Sequence, residues 1–308
     1  MFDFTKTSMQ EIISILKTLD RDKFSIKVLN PNLGKSLYAG EMIDIDGEFF
    51  AHHSLKSWIN LAEVLGFRLN MPKQIDKHFI SIEFERLRDK SFHNTKSDTE
   101  KYGINSEFAR VNKLEEPSFL WHYLHSLHSA KIEDKNRILN IGINRGDEFL
   151  AIKNSLKDDF LNKEFVGIDY SKSAIKVAKE SLNYPNVKLF CEDINNLDSL
   201  NLGKFDLLIS IGTLQSTNIN AKTLVMNLVQ NYLKQNSAII FGFPNGRWID
   251  GELVYSAKAP NYKYPEISLV IKDIYWIKKY LQQHKFRVTI TGKEYLFLTA
   301  TKIGSTFE

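Results

Sequence analysis

Between residues 137 and 243 the sequence alternates short apolar runs with segments of helical periodicity. The apolar, strand-like runs are 137–142, 164–168, 187–190, 205–211 and 237–243. The helical segments between them are 148–157, 172–182 and 221–234. Such alternation is typical of parallel strands joined by right-handed helical crossovers. Two later runs, 286–291 and 294–302, are separated only by Gly292 and Lys293, which allows a hairpin but no crossover. The sequence therefore predicts an α/β fold with a seven-stranded, doubly wound, mostly parallel sheet and an antiparallel last strand.

The first hundred residues have a mixed pattern that does not share this alternation. Helical spacing occurs at 8–19 and 54–66, and strand-like runs occur at 24–29, 36–51 and 78–87. A polar stretch, 88–112, and a helical segment, 113–130, come next. We therefore predict a smaller α+β accessory or substrate domain at 1–100, a linker and leading helix at 101–136, and the main α/β domain at 137–308.

The composition excludes several classes of protein. Hydrophobic residues make up 43% and charged residues 25% of the 308 residues, as in ordinary globular proteins. No apolar run is long enough to cross a membrane. The first residues lack a basic leader followed by an apolar core, so we expect no secretory signal and a cytoplasmic location. The single cysteine, Cys191, excludes an internal disulfide and Cys-rich metal sites.

Three histidines precede the first strand of the main domain. His122, His125 and His128 recur every third residue of a helical segment, so they share part of one face. A metal site would need a further ligand nearby, and none is evident in the sequence. We therefore predict no metal site and interpret these residues as ordinary helix histidines, with His122 or His125 left open as a base.

Glycines and acids stand where the predicted strands end. Gly142 and Gly146 follow the first strand and lead into a helix, where the backbone can approach a ligand closely. Asp169 ends the second strand, and a carboxylate there can accept both hydrogen bonds of a ribose diol. Asp193 ends the third strand, and Ser210 lies near the end of the fourth. Taken singly, each of these residues is equally well explained as a turn or a strand end.

In this order, the segments resemble the class I S-adenosylmethionine-dependent methyltransferases over about residues 113–302. The most specific segment is Val166-Gly-Ile-Asp169-Tyr-Ser-Lys-Ser-Ala-Ile-Lys-Val-Ala178, which is similar to the family's second strand and following helix. The resemblance implies that S-adenosylmethionine is the cofactor. It also implies that Asp169 binds the ribose hydroxyls, with Tyr170 stacked on the adenine. The full set of implied cofactor-binding residues is Asn140, Gly142, Ile143, Asn144, Gly146, Asp169, Tyr170, Asp193, Ile194, Ser210 and Ile211.

The sequence departs from the family pattern at three places. Asn140 stands where the family often has an acid, Asn144 where it has a glycine, and Asn236-Ser237 where a Gly-Gly turn enters the fifth strand. Loss of the acid at 140 removes a common partner of the cofactor's ammonium group. Asp147 or Glu148 could substitute, but the simpler interpretation of both is as first-turn acids on a helix. The glycine spacing, Gly-x-x-x-Gly, disfavours a dinucleotide enzyme.

The segment after the fifth strand, 243–267, is the best candidate for holding the acceptor because it is long and shows little periodicity. Its polar and aromatic candidates for substrate binding are Asn245, Arg247, Trp248, Glu252 and Tyr255. We predict a small-molecule acceptor. Residues 272–302 carry seven basic and two acidic side chains, so tRNA or another RNA is the alternative acceptor. A non-catalytic binding or scaffold protein with this fold stays open, as does a homodimer paired through the N-terminal hairpin.

Overall fold

The computed structural model describes residues 1–88, 106–216, 218–255 and 266–304. The chain divides into two compact units. The N-terminal unit comprises Met1–Lys90 and Trp248–Val254, and the sheet unit comprises Ser91–Arg247 and Tyr255–Glu308. The domain boundaries expected from the sequence stay a prediction.

The N-terminal unit is a small sheet packed against two helices, in which β1 is parallel to β2 and the other pairs are antiparallel. Its elements are β1 Phe2–Asp3, α1 Met9–Lys17, β2 Lys23–Leu29, β3 Met42–Ile45, β4 Glu48–Ala51, α2 Leu55–Leu65, β5 Phe67–Leu69, β6 Lys73–Gln74 and β7 Phe79–Arg86. The strand order is β1-β2-β7-β5, with β6 also on β7, while β3 and β4 pair separately. Alternate residues of β2 and β7, such as Ile26 and Ile82, enter a core that also holds Ile12 and Trp58.

Local sequence signals explain where these elements begin and end. Ser8 caps α1 through a capping box with Glu11, and Ser54 caps α2. Gly66 ends α2 in the left-handed conformation at φ 77°. Residues 36–41 were expected to be strand, but they form a turn that includes Gly40 at φ 91°.

The sheet unit carries the remaining helices and strands. They are α3 Pro117–Ser129, β8 Arg137–Ile141, α4 Asp147–Leu156, β9 Glu164–Asp169, α5 Lys172–Ser181, β10 Val187–Cys191, β11 Phe205–Ile211, α6 Ala221–Asn231, β12 Leu233–Pro244, β13 Gly246–Ile249, β14 Glu252–Tyr255, α7 Ser268–Gln283, β15 Phe286–Gly292 and β16 Tyr295–Lys302. Residues 248–254 of the β13–β14 hairpin are grouped with the N-terminal unit.

The seven strands of the main sheet lie in the order β10-β9-β8-β11-β12-β16-β15. The strands from β10 to β12 are mutually parallel, and β16 is antiparallel to both of its neighbours. Alternate residues enter the cores on opposite faces: Leu139 and Ile141 enter one, and Ile138 enters the other. The predicted fold class is confirmed.

The fifth strand and the segment after it differ from the expectation. We expected a turn at Asn236-Ser237, but β12 runs from Leu233 without a break, and a register shift opposite Phe205 and Leu207 absorbs the extra residues. The following residues form the β13–β14 hairpin. Its two-residue turn, Asp250-Gly251, has positive φ at both positions, which is the geometry that favours Asp-Gly in hairpins. Residues 256–265 of the predicted acceptor segment lie outside the described residues. Over the described ranges, no helix is both long and apolar enough to cross a membrane.

Candidate active site

The predicted cofactor residues lie at the carboxyl edge of four neighbouring parallel strands. In the sheet register, Asn140 of β8 is paired with Ile209 of β11, and Asp169 of β9 is paired with Cys191 of β10. Ser210 follows Ile209 directly. Because parallel strands end at the same edge, residues far apart in sequence come together here.

The glycine turn between β8 and α4 is tied to the end of β9. The backbone N–H of Asn144 donates to the Asp169 carboxylate at 2.9 Å, and that carboxylate also accepts from the N–H of Ser171 at 2.9 Å. Asn144 has a φ of 50°, which asparagine tolerates better than most residues, so its replacement of a glycine is compatible with the turn. Asp169 is buried, with 7% of its surface exposed.

Gly142 is required by close packing as well as by its φ of 75°. A Cβ atom at this position would lie 1.9 Å from Thr213 Oγ1 and 2.8 Å from Thr213 Cβ. The glycine therefore lets the turn after β8 pack directly against the turn after β11. A Cβ at Gly146, whose φ is 92°, would lie 2.4 Å from Leu182 Cδ1. Ile143, between them, is fully buried in the core.

The residues predicted to contact the adenine differ in exposure. Tyr170 is 39% exposed, an exposure compatible with stacking of its ring on a ligand. Ile194 is buried at 8% exposure. Asp193 caps the 3₁₀ turn Ile194–Leu200, and its Oδ1 accepts from the backbone N–H and the side-chain amide of Asn195 at 2.8 and 2.9 Å.

The floor predicted at the end of β11 is closed by a hydrogen bond between strands. The Ser210 hydroxyl donates to the carbonyl oxygen of Ile141 at 3.1 Å, and the Thr213 hydroxyl donates to the same oxygen at 3.3 Å. Ile211 is buried at 5% exposure. Ser210 thus holds β11 against the end of β8.

A buried polar cluster lies beside the glycine turn, formed by Asn140, Glu148 and Lys113. Asn140 Nδ2 donates to Glu148 Oε2 at 3.4 Å, and Lys113 Nζ lies 3.0 Å from Glu148 Oε1. Asn140 is fully buried and Glu148 is 2% exposed. Asn140 Oδ1 has no hydrogen-bond partner within the described part of the chain. Glu148 is thus a first-turn acid of α4, as the sequence favours, but it is buried and bonded to two side chains.

The surroundings of Lys113 favour the charged form of its ammonium group. Burial by itself opposes the ammonium of Lys113, but the attraction of Glu148, with smaller contributions from Tyr295 and Asp147, outweighs it and raises the pKa of Lys113 above its usual value. Tyr123, also fully buried, donates to the Glu148 carbonyl oxygen at 3.3 Å. Burial and the nearby Glu148 raise the pKa of Tyr123, so its hydroxyl stays protonated.

The predicted acceptor residues do not form one group. Asn245 is buried; its Nδ2 donates to the Lys293 carbonyl at 2.9 Å, while its Oδ1 has no partner among the described residues. Arg247 Nε and Trp248 Nε1 are likewise buried and unpaired in that part of the chain. Glu252 lies with the N-terminal unit, 3.8 Å from Arg68. Tyr255 is 44% exposed.

The histidines of α3 take no part in these contacts. His122, His125 and His128 lie on the helix that precedes β8. The Ser126 hydroxyl donates to the backbone carbonyl of His122, and the N–H of Lys131 donates to that of His128. Within the described ranges, no three His, Cys, Asp or Glu side chains are grouped so that they could hold a metal ion.

The chain resembles known proteins over its sheet unit. Residues 132–289 match the family described as "Methyltransferase domain". The plantazolicin methyltransferase BpumL in complex with SAH is similar at 18% identity and a TM-score of 0.48, over 67% of this chain and 91% of that one. The ribosomal protein L11 methylase of Lactobacillus delbrueckii subsp. bulgaricus is similar at 16% identity and a TM-score of 0.38, over 61% and 79%. No curated protein matches the chain.

Identity and TM-score are low for both structures, so the assignment rests on the family match. That match covers about half of the chain and includes every strand from β8 to β12. The chain therefore belongs to the methyltransferase domain family, and it is an S-adenosylmethionine-dependent methyltransferase.

Proposed function

We propose that this enzyme methylates a small-molecule acceptor, with S-adenosylmethionine bound at the carboxyl edge of β10, β9, β8 and β11. The observation that carries the cofactor site is the convergence of Asn140, Asp169 and Ser210 at that edge, with Asp169 tied to the glycine turn at 2.9 Å. The remaining proposed cofactor residues are Gly142, Ile143, Asn144, Gly146, Tyr170, Asp193, Ile194 and Ile211.

The chemistry of these residues fits the cofactor. Asn140 Oδ1 is a buried acceptor without a partner in the described ranges, and it suits a donor such as the ammonium of the methionine part. The Asp169 carboxylate suits the two ribose hydroxyls. The half-exposed ring of Tyr170 suits a flat adenine.

The bound cofactor supplies a methyl group on a positively charged sulfur. The protein's contribution is to orient the two reactants, because transfer requires the acceptor atom in line with the breaking bond. The packed turns at Gly142 and Thr213 fix the backbone around the site. No side chain is assigned as a base, since only an acceptor that loses a proton needs one.

The segment just after β12 provides unsatisfied polar atoms for the acceptor. Asn245 Oδ1 and Arg247 Nε are buried, and neither has a partner in the described residues. A buried polar atom without a partner costs about 1–3 kcal/mol, so a small polar ligand that pairs with it gains that amount. Tyr255 of the sheet unit is proposed as a further acceptor contact, while Trp248 and Glu252, which are grouped with the N-terminal unit, stay a prediction from the sequence.

Three of the seven basic residues that favour RNA lie at the opposite edge of the sheet from the proposed cofactor site. β15 is parallel to β12, because β16 is antiparallel to both. Lys285 and Arg287, exposed at the start of β15, therefore lie at the amino edge of the sheet, as does Lys302 at the end of β16. This edge is opposite to the proposed cofactor site, which supports a small-molecule acceptor over RNA.

Methyl transfer to fractions of one cell extract tests the acceptor class. The purified enzyme is incubated with S-adenosylmethionine carrying a labelled methyl group and either the small-molecule filtrate or the purified RNA. We expect label in the filtrate, and several-fold less with Asn245→Ala than with the control Asn231→Ala, which alters an exposed asparagine of α6. Label in RNA that falls steeply with added salt would contradict the proposal. Absence of label in both fractions while the cofactor binds would favour a non-catalytic role.

A further inference from the structure

The buried polar cluster of Asn140, Glu148 and Lys113 fixes the orientation of an amide. Glu148 is an acceptor when ionised, and its two oxygens face the Lys113 ammonium at 3.0 Å and Asn140 Nδ2 at 3.4 Å. An ionised carboxylate accepts hydrogen bonds only, so the amide of Asn140 must turn its NH₂ group toward Glu148. Its carbonyl oxygen, Oδ1, is therefore directed away from Glu148 and stays unpaired among the described residues.

Asn140 on β8 is a neutral amide, and Glu148 on the neighbouring helix α4 decides which of its two polar atoms is left to accept a hydrogen bond. Glu148 lies in the first turn of α4, yet it is 2% exposed and bonded to two side chains, so the helix end alone does not explain it. Asn140 Oδ1 is a second, independent observation, because a buried acceptor without a partner is costly unless a ligand or water supplies the donor.

We infer that Glu148 is a positioning residue for the cofactor, which orients Asn140 so that its Oδ1 accepts a hydrogen bond from the cofactor's ammonium group, directly or through one water. This inference rests on the proposed cofactor site. Lys113 Nζ lies 3.0 Å from Glu148 Oε1 and balances the charge of that buried carboxylate. Asn140 contacts the ligand in this scheme, and Glu148 acts through it.

Replacement of Glu148 by glutamine should undo this orientation. In Glu148→Gln the new side chain keeps an oxygen for Lys113 and then presents its NH₂ group to Asn140. Asn140 must turn its oxygen toward that donor, and its own NH₂ group then faces the ammonium. Two hydrogen-bond donors then face each other, so the hydrogen bond from Asn140 to the amino-acid end of the ligand is lost. The double variant Asn140→Asp with Glu148→Gln restores an acceptor, because the introduced carboxylate accepts from both the introduced amide and the ligand while the cluster keeps its net charge.

Two ligands that differ only in the amino-acid end test the inference by calorimetry. S-adenosylhomocysteine carries that end, and 5′-methylthioadenosine lacks it but has the same nucleoside. We expect Glu148→Gln to weaken the homocysteine ligand roughly 10- to 100-fold, as for loss of a charge-assisted hydrogen bond, and to leave methylthioadenosine within about twofold. The double variant should regain most of the loss. Glu164→Gln, which alters an ion-paired glutamate at the amino edge of β9, should change neither affinity.

The outcomes separate the inference from the proposed function. If the unaltered protein binds neither ligand, the proposed cofactor site itself fails. If both ligands bind the unaltered protein, but Glu148→Gln weakens their binding equally or does not weaken it at all, then Glu148 has only a structural role and the inference is overturned. Failure of the double variant to restore selectivity for the homocysteine ligand would also overturn it, since a purely structural loss gives no reason for selective rescue.

Discussion

The packing of the two turns beside the cofactor site can be measured with one added methyl group. Gly142→Ala places a Cβ 1.9 Å from Thr213 Oγ1 and 2.8 Å from Thr213 Cβ. Rotation of the threonine cannot relieve the second contact, because Cβ lies on the rotation axis. The left-handed φ of 75° costs an alanine about 1–2 kcal/mol, and overpacking costs about 1–3 kcal/mol more. We therefore expect a loss of about 2–5 kcal/mol in the free energy of unfolding.

Gly212→Ala is the matched control for this change. Gly212 has almost the same φ, 74°, but a Cβ there would meet only Pro244 Cγ, at an ordinary 3.8 Å. Backbone strain alone should reduce the free energy of unfolding of Gly212→Ala by about 1–2 kcal/mol. Urea denaturation followed by circular dichroism gives both values. Gly142→Ala in a Thr213→Ala background should recover part of its extra loss. Equal losses for Gly142→Ala and Gly212→Ala would refute the close approach of the two turns.

Two further predictions concern charged groups in the sheet unit. Lys113→Met leaves Glu148 buried without its cation and should reduce the free energy of unfolding by roughly 3–5 kcal/mol. Adding Glu148→Gln to this variant should recover most of that loss. Urea denaturation of both variants measures the two values, and no recovery would argue against the ion pair. Burial opposes ionisation of Glu294, but hydrogen bonds from Lys293 and Ser118 outweigh it and lower its pKa. A carboxylate whose pKa is lowered on folding stabilises the fold at pH values above its pKa in the unfolded chain, and this contribution is lost as the pH falls through its pKa in the folded protein. Ser118→Ala should therefore reduce the free energy of unfolding by about 1 kcal/mol at neutral pH after solvent screening, and by less near pH about 3. An effect that grows in acid would contradict that assignment.

The strands and helices of residues 137–243 could be predicted because their apolar spacing reports local structure directly. Each strand was placed within a few residues, except that β12 begins at Leu233, where a register shift in the sheet decides its start. The hairpin at Asp250-Gly251 was missed although Asp-Gly is a turn signal, because the flanking residues do not alternate.

The site was less accessible to sequence reasoning than the fold. Asp169 and the glycine turn stand at recognisable strand ends, so their proximity follows from the parallel topology. The burial of Glu148 could not be predicted from the sequence, because a first-turn acid has the same local pattern whether it is exposed or buried. Its partner Lys113 lies 35 positions earlier in the chain, and only the tertiary structure brings the two together.

Binding of S-adenosylhomocysteine to Asp169→Ala tests the central claim most directly. Asp206→Ala is the matched control, because Asp206 also accepts hydrogen bonds from backbone N–H groups, those of Arg137 and Asn136, but at the opposite edge of the same sheet. Calorimetry should detect binding of S-adenosylhomocysteine by the unaltered protein and by Asp206→Ala. The affinity of Asp169→Ala should be lower by at least roughly tenfold. Unchanged affinity in Asp169→Ala, or equal losses in both variants, would contradict a cofactor site at the carboxyl edge of β8 and β9.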